Sequence, residues 1–273
     1  MKYNIIQGDC FELIKNQPDN SVDLVITSPP YSDIVNYGKK VSTKKPDDYV
    51  DWILPLFKEI FRVLKPSGSF ILNINDKCEG GYRSTYIYDL ISRNNSETKL
   101  KLYDTYIWYK QCSIPNGGFK RFRNTTEFIF HFCKDAKQMK FYMDRVLIEA
   151  KETTKQRFRY EMNEFHGVVI DGVRVKEKVK KNISDKIRPN NVVRFLTAGS
   201  SRDNLIKHPA PFHKELPLYY INLLTDDGDL VIDPFSGIGT TGIACKELNR
   251  EYIGYELNET YVDFSIKRIE EYE

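Results

Sequence analysis

"SVDLVITSPPYSD", residues 21–33, joins a near-continuous apolar, β-branched run to a corner of two prolines and a tyrosine. Such a run reads as a strand buried on both faces, as in the interior of a parallel sheet. Upstream, "YNIIQGD" (3–9) is a short apolar strand ending in Gly-Asp. Downstream, "PDDYVDWILPLFKEIFRVLKPSG" (46–68) repeats Val50, Ile53, Leu54, Phe57, Ile60, Phe61 and Leu64 at helical spacing. Asp47 is the expected cap, Pro66-Ser67-Gly68 the expected stop, and Pro55 a candidate kink. "SFILNIND" (69–76) is the next strand, and strand, helix, strand at this spacing is a βαβ unit.

Two further strands, "YDTYIWYKQ" (103–111) and "TTEFIFHFCK" (125–134), follow with a loop between them, breaking the alternation. From 135 to 207 the sequence is irregular, basic and Asn-rich, and reads as an insertion rather than part of the sheet. Regular alternation resumes with helix "KELPLYYINLLTDDG", strand "DLVIDPF", helix "GTTGIACKEL" and strand "EYIGYEL". The last element, "NETYVDFSIKRIEEYE", is a helix capped by Asn258, with Val262, Ile266 and Ile269 on one face. The expected architecture is α/β, a doubly wound, mostly parallel sheet with one inserted region. Its parts are 1–134, the insertion 135–207, and 208–273 as the second half of the same α/β domain.

Composition fits one globular domain with an insertion: 273 residues, 41% hydrophobic and 29% charged. The net charge of +3 names no partner, but residues 151–190 hold 11 Lys/Arg against 6 Asp/Glu, which suits a polyanion. Cys10, Cys78, Cys112, Cys133 and Cys245 lie far apart without a CxxC pair, which argues against a zinc site or a disulfide framework and suits a reducing cytoplasm. No apolar stretch approaches the roughly 18 residues of a membrane span. The expectation is therefore a soluble cytoplasmic protein without a metal.

Two corners carry chemistry. "VIDPFSGIGTTG" (231–242) follows a strand and opens a helix, where doubly wound sheets bind ligands. Gly237 and Gly239 let backbone approach a ligand, Asp233 can accept hydrogen bonds from one, and Thr240 and Thr241 offer donors at the helix start. No GK[ST] follows, so this is not a phosphate loop. Glu256 ends the next strand about twenty residues on, as a ribose-binding acid should, although a nicotinamide site would look alike at this level.

Ser28-Pro29-Pro30 is a stiff, extended run whose carbonyls have few backbone partners and can accept from a ligand –NH₂. Tyr31 offers a face for a planar ring, worth about 1–3 kcal/mol on the base-stacking scale. An exocyclic amine on a nucleobase is a poor nucleophile because its lone pair is delocalised. Accepting its hydrogens at the Ser28 side chain and the Pro29 carbonyl would localise that lone pair. A sulfonium methyl held in line then reacts by positioning and electrostatics alone.

Together the corners resemble the amino-methylating, S-adenosylmethionine-dependent DNA methyltransferases. "TSPPY" is similar to their catalytic motif, giving Ser28, Pro29, Pro30 and Tyr31. "DPFSGIGTTGIA" is similar to their methionine-binding motif, giving Asp233, Pro234, Phe235, Ser236, Gly237, Gly239, Thr240 and Thr241. The order, catalytic motif first, resembles the β class, in which a target-recognition region lies between the two. "QGDCFELI" resembles the adenine-contacting stretch (Asp9 and Cys10), and "HPAPFHKELP" a segment near the methionine end (His208, Pro209 and Phe212). "YIGYELNETYV" resembles the ribose-binding strand (Glu256 and Asn258).

The resemblance implies a Rossmann-like methyltransferase fold with permuted motif order. It also implies S-adenosyl-L-methionine as cofactor, S-adenosyl-L-homocysteine as product, and double-stranded DNA with base flipping. A companion restriction endonuclease is a further candidate partner. Serine before the prolines resembles the cytosine-N(4) enzymes, whereas aspartate there is more usual for adenine-N(6). Carbon-5 methylation is disfavoured, because no cysteine follows a proline.

Lys39, Lys40, Lys44 and Lys45 are candidate phosphate contacts, and "GGFKRFRN" and "KQRFRY" interleave basic and aromatic residues. The rivals are an RNA- or protein-directed methyltransferase, which would usually carry Asn before Pro-Pro-Tyr, and a catalytically inactive DNA-binding protein of the same fold. A nicotinamide-dependent oxidoreductase is more distant, because no proton-relay pair can be placed.

Overall fold

The computed structural model describes residues 2–31, 45–79, 81–110, 120, 122–154, 168–170, 173–175, 185–195 and 213–272. The chain divides into two compact units, Met1–Tyr142 with Asn191–Glu273, and Met143–Asn190.

The larger unit is built on an eight-stranded sheet. In chain order its strands are β1 (Tyr3–Gln7), β2 (Val22–Thr27), β3 (Leu64–Ile74), β4 (Lys101–Tyr109), β5 (Thr126–Cys133), β6 (Val192–Val193), β7 (Leu230–Asp233) and β8 (Glu251–Glu256). In space they run β1-β8-β7-β2-β3-β5-β4-β6. The pairs β1–β8, β8–β7, β7–β2 and β2–β3 are parallel. β5 is antiparallel to β3 and β4, and β6 is parallel to β4. From β2 the chain winds outward to β3, whereas β7, on the other flank of β2, winds outward to β8. Strand order therefore reverses between β2 and β7. Open α/β sheets bind ligands beyond the carboxyl ends of the strands at such a point.

Helix α2 (Pro46–Val63) packs against α1 (Cys10–Leu13) and α3 (Tyr86–Glu97), and α5 (Thr240–Glu247) packs against α4 (Glu215–Leu224) and α6 (Glu259–Glu270). The apolar stripe of α2, including Ile53, Phe57 and Ile60, packs in one core with Val25, Phe70 and Leu72. Phe57 meets Phe70 edge-on with ring centroids 5.1 Å apart. Burying each such side chain contributes about 1.5–3 kcal/mol. Every β2 residue is buried, which is why its sequence runs apolar without alternating. Its charged residue, Asp23, ion-pairs with Lys65 at 2.7 Å.

Several local expectations need correction. α2 starts at Pro46 with Lys45 at the N-cap and no side-chain cap, so Asp47 does not take that position; proline is pre-set for a first helical turn. The helix runs through Pro55. Pro66-Ser67-Gly68 is no stop, because β3 already begins at Leu64. The register with β2 shifts between Val22 and Leu24, and a Cβ at Gly68 would sit 3.0 Å from the Val22 carbonyl. Helix α3, with Ile87, Leu90 and Asn94 buried, has no counterpart among the expected elements.

Val192–Val193 lies inside the stretch read as outside the sheet, yet it pairs with Ile107 and Trp108 at the edge. A two-residue strand carries no periodicity to read. Tyr142 also belongs to the larger unit, its amide donating to the Leu223 carbonyl at 2.8 Å.

The smaller unit contains two short antiparallel ladders, Ile148–Glu149 with Lys186–Ile187 and Val168–Ile170 with Val173–Val175. Among the described residues no helix is long and apolar enough to cross a membrane.

Candidate active site

Strands β2 and β7 are neighbours in parallel register, Val231 beside Leu24 and Ile232 beside Val25, so their carboxyl ends leave the sheet side by side. Thr27, the last residue of β2, donates its hydroxyl to Asp233 Oδ1 at 2.6 Å. Thr241 in α5 donates to Oδ2 at 2.6 Å, and the Phe235 amide to Oδ1 at 3.1 Å. Asp233 is 1% exposed. Burial pushes its carboxyl up to about 6, against the lowering effect of the hydroxyls and the Phe235 amide.

The sequence suggested that Asp233 and Thr241 would present polar groups to a ligand. In the structure they bond each other: a buried carboxylate needs internal partners, and the Thr27 and Thr241 hydroxyls supply them. Thr240 is buried too, its hydroxyl accepting from Arg268 at 3.2 Å.

Beyond Asp233 the chain turns through Pro234 and Phe235 into a glycine turn. Ser236 is fixed by its amide on the Tyr255 carbonyl (2.9 Å) and by its hydroxyl on Tyr252 (2.8 Å). Gly237 and Gly239 have φ of 51° and 76°, in the left-handed region. At Gly239 a Cβ would also fall 2.7 Å from the Ser265 Cβ.

Glu256, at the end of β8, accepts from the Gly237 amide through Oε2 and from the Asn258 amide through Oε1, both at 2.9 Å. Burial raises its carboxyl above the usual range, opposed by these amides. Gln7 lies opposite Glu256 in the β1–β8 pairing, which brings Asp9 to the same edge. Asp9 is exposed and caps α1, accepting from the Phe11 amide at 2.9 Å. Cys10 is buried, its thiol pushed up by burial. The sheet thus gathers Asp9, Ser236, Gly237, Glu256 and Asn258 around the ends of β1, β8 and β7. His208, Pro209 and Phe212 lie outside the described residues, as do Lys39, Lys40 and Lys44.

On the other side of the Thr27–Asp233 bond stands the proline corner. The Ser28 hydroxyl donates to the Tyr31 hydroxyl at 3.1 Å, and Tyr31 donates to Glu127 Oε2 at 2.9 Å. Asn73 Nδ2 reaches the same carboxylate oxygen at 3.0 Å, and Lys110 ion-pairs with Oε1. Glu127 is 7% exposed.

Sequence reasoning missed Asn73, Lys110 and Glu127. The available signal was a lone carboxylate inside the apolar strand "TEFIFHFC", which burial obliges to find partners. It also missed Phe11 and Trp52, whose ring centroids lie 5.5 Å apart, with Trp52 6.0 Å from Phe235.

A doubly wound sheet with these two corners at its reversal point is the architecture of Rossmann-like methyltransferases. The family model described as DNA methylase (N6_N4_Mtase) matches residues 22–268, and the chain belongs to that family. Among curated relatives, the type II methyltransferase M.PvuII of Proteus hauseri is 27% identical, covering 96% of this chain and 82% of the relative. The DNA adenine methyltransferase YhdJ of Escherichia coli (strain K12) is 29% identical, covering 97% and 82%.

The solved PvuII DNA methyltransferase (cytosine-N4-specific) superposes with a TM-score of 0.74 at 24% identity, covering 98% of this chain and 86% of that one. The M1.HpyAVI–SAM complex superposes at 0.57 with 23% identity, covering 97% and 99%. At these identities the two structures speak to the fold alone.

Proposed function

We propose that the protein transfers a methyl group from S-adenosylmethionine to the exocyclic amine of a base flipped out of duplex DNA, cytosine N(4) ahead of adenine N(6). The observation that carries this reading is the Thr27–Asp233 hydrogen bond, which holds the Ser28–Tyr31 corner beside the glycine turn at the sheet's reversal point. Ser28 before the prolines supports cytosine N(4). Relatives of both kinds, the cytosine-N4-specific PvuII enzyme and the adenine methyltransferase YhdJ, support the amine as acceptor.

The residues present fit the cofactor. Glu256 is a partly buried carboxylate suited to ribose hydroxyls, and Asp9 is an exposed one suited to adenine. The positive φ of Gly237 brings bare backbone to the same edge. Bound there, the cofactor supplies a methyl group on a sulfonium, an electrophile that needs no metal. The M1.HpyAVI–SAM complex, of the same fold, supports this choice.

The protein's own part is to accept the amine hydrogens at Ser28 Oγ and the Pro29 carbonyl, and to stack the ring on Tyr31. Among the described residues nothing donates to that carbonyl. The basic 135–207 region, which contains the 143–190 unit, would read the target sequence. A companion endonuclease is in keeping with the type II relatives.

The test is to treat mixed plasmid DNA with the protein and S-adenosylmethionine, digest it to nucleosides and weigh the products. N(4)-methylcytosine is expected. N(6)-methyladenine would reverse the base assignment, and unmodified DNA would overturn the function.

A further inference from the structure

The proline corner does not end at Tyr31. Ser28 Oγ, Tyr31 Oη and Glu127 Oε2 form a chain of hydrogen bonds of 3.1 and 2.9 Å, leading from the corner to a carboxylate within the sheet. Its direction follows from chemistry. Tyr31 Oη has two acceptors in reach, Glu127 Oε2 at 2.9 Å and Asn73 Oδ1 at 3.3 Å; with its hydrogen on the nearer, a carboxylate oxygen that only accepts, Ser28 donates to Tyr31. Every hydroxyl hydrogen therefore points away from the corner, leaving a lone pair of Ser28 Oγ turned outward. The remaining Glu127 partners, Asn73 Nδ2 and Lys110 Nζ, are also donors, so the carboxylate lies at the end of the path.

We infer that Glu127 is the proton sink of the reaction, taking up through Tyr31 and Ser28 the proton that the methylated amine must lose. This rests on the function proposed above. The amine lone pair forms the N–C bond while the S–C bond breaks and its electron pair stays on sulfur, leaving the nitrogen cationic with one hydrogen too many. That hydrogen passes to Ser28 Oγ, the Ser28 hydrogen to Tyr31 Oη, and the Tyr31 hydrogen to Glu127 Oε2. Charge balances, because the cationic nitrogen becomes neutral and so does the carboxylate. A cationic exocyclic amine conjugated to a ring is a strong acid, so a carboxylate suffices as its base.

Glu127 acts through two other residues and is a positioning residue in that sense, and its variants separate the roles. Glu127→Gln keeps an oxygen that accepts from Tyr31 but cannot take a proton. We expect kcat to fall by roughly 10²-fold, the lower range of general acid–base effects. The KM for DNA and the calorimetric affinity for S-adenosylmethionine should stay within about twofold. Glu127→Asp should recover part of the rate. Tyr31→Phe, which keeps the ring and cuts the path, should lose a similar factor, and the double variant no more than either alone.

A readout independent of turnover is the infrared carboxylate band of Glu127 in the cofactor-free protein. It is found by difference against Glu127→Gln and should shift on Tyr31→Phe. Glu127→Gln or Tyr31→Phe with wild-type kcat, or an unmoved band, overturns the inference while the function stands. A wild-type protein that binds the cofactor and leaves DNA unmodified overturns both.

Discussion

Two buried carboxylates flank the exit of β2, and they are held in opposite ways. Asp233 on β7 meets two hydroxyls and an amide, with no cation among its hydrogen-bond partners in the described residues, and burial pushes its carboxyl up to about 6. Glu127 on β5 meets a lysine, an amide and a phenol that leads back to the proline corner. Neutral donors lock a carboxylate in place and give it no path to solvent or substrate. At Glu127 a cation and a hydroxyl chain meet, and the chain connects the carboxylate to the site. Asp233 is thus a pin and Glu127 a terminus, although either could be described as an acid beside a motif.

The sharpest test of this contrast lies between them. Tyr31→Ala removes both the stacking face and the link to Glu127, and should lower methyl transfer by about 10³-fold. Cofactor affinity by calorimetry should stay near wild type, since the pin is untouched; a comparable loss of affinity would mean that the two sides are not separable.

Asp233→Ala should do the reverse. It strands the Thr27 and Thr241 hydroxyls in a dry site and should cost about 3 kcal/mol of stability, read by urea unfolding, with weakened cofactor binding. Unchanged stability would remove the pin.

The pH dependence comes next in size. Folding raises Asp233 from 3.8 to about 6, so the folded state holds a proton that the unfolded chain releases. This contribution is fully present below the lower value and lost as pH rises through the upper, on the order of 2–3 kcal/mol. Asp233→Asn should flatten the stability profile in that window, and an unaltered slope would contradict it. Thr27→Val, which keeps shape and removes one donor, should cost about 1–2 kcal/mol. It should be non-additive with Asp233→Asn in a double-mutant cycle, and simple additivity would deny the bond between them.

What the sequence made legible follows from burial. β2 and β7 declare themselves because a central parallel strand must be apolar along its whole length, and α2 because its stripe is long. The site residues of the glycine turn come to one edge because strand ends at a reversal point must. The fates of Asp233 and Thr241 were hidden, because a motif says which residues occur and not which way they face. Glu127 on β5, Asn73 on β3 and Lys110 just after β4 are separated in sequence and form a network only once β5 lies beside β3. Helix α3 kept its apolar positions few, with Asn94 among its buried residues. Val192–Val193 was too short to carry any pattern.

The 2.6 Å contact between Thr27 and Asp233 spans 206 positions of chain, yet it joins the tips of adjacent strands. A linkage that short has no slack. In the proposed reaction, donor and acceptor would then ride on one rigid jaw, and a displacement of either tip would carry the other with it. The alignment of methyl and amine would belong to the sheet itself, fixed before either molecule arrives.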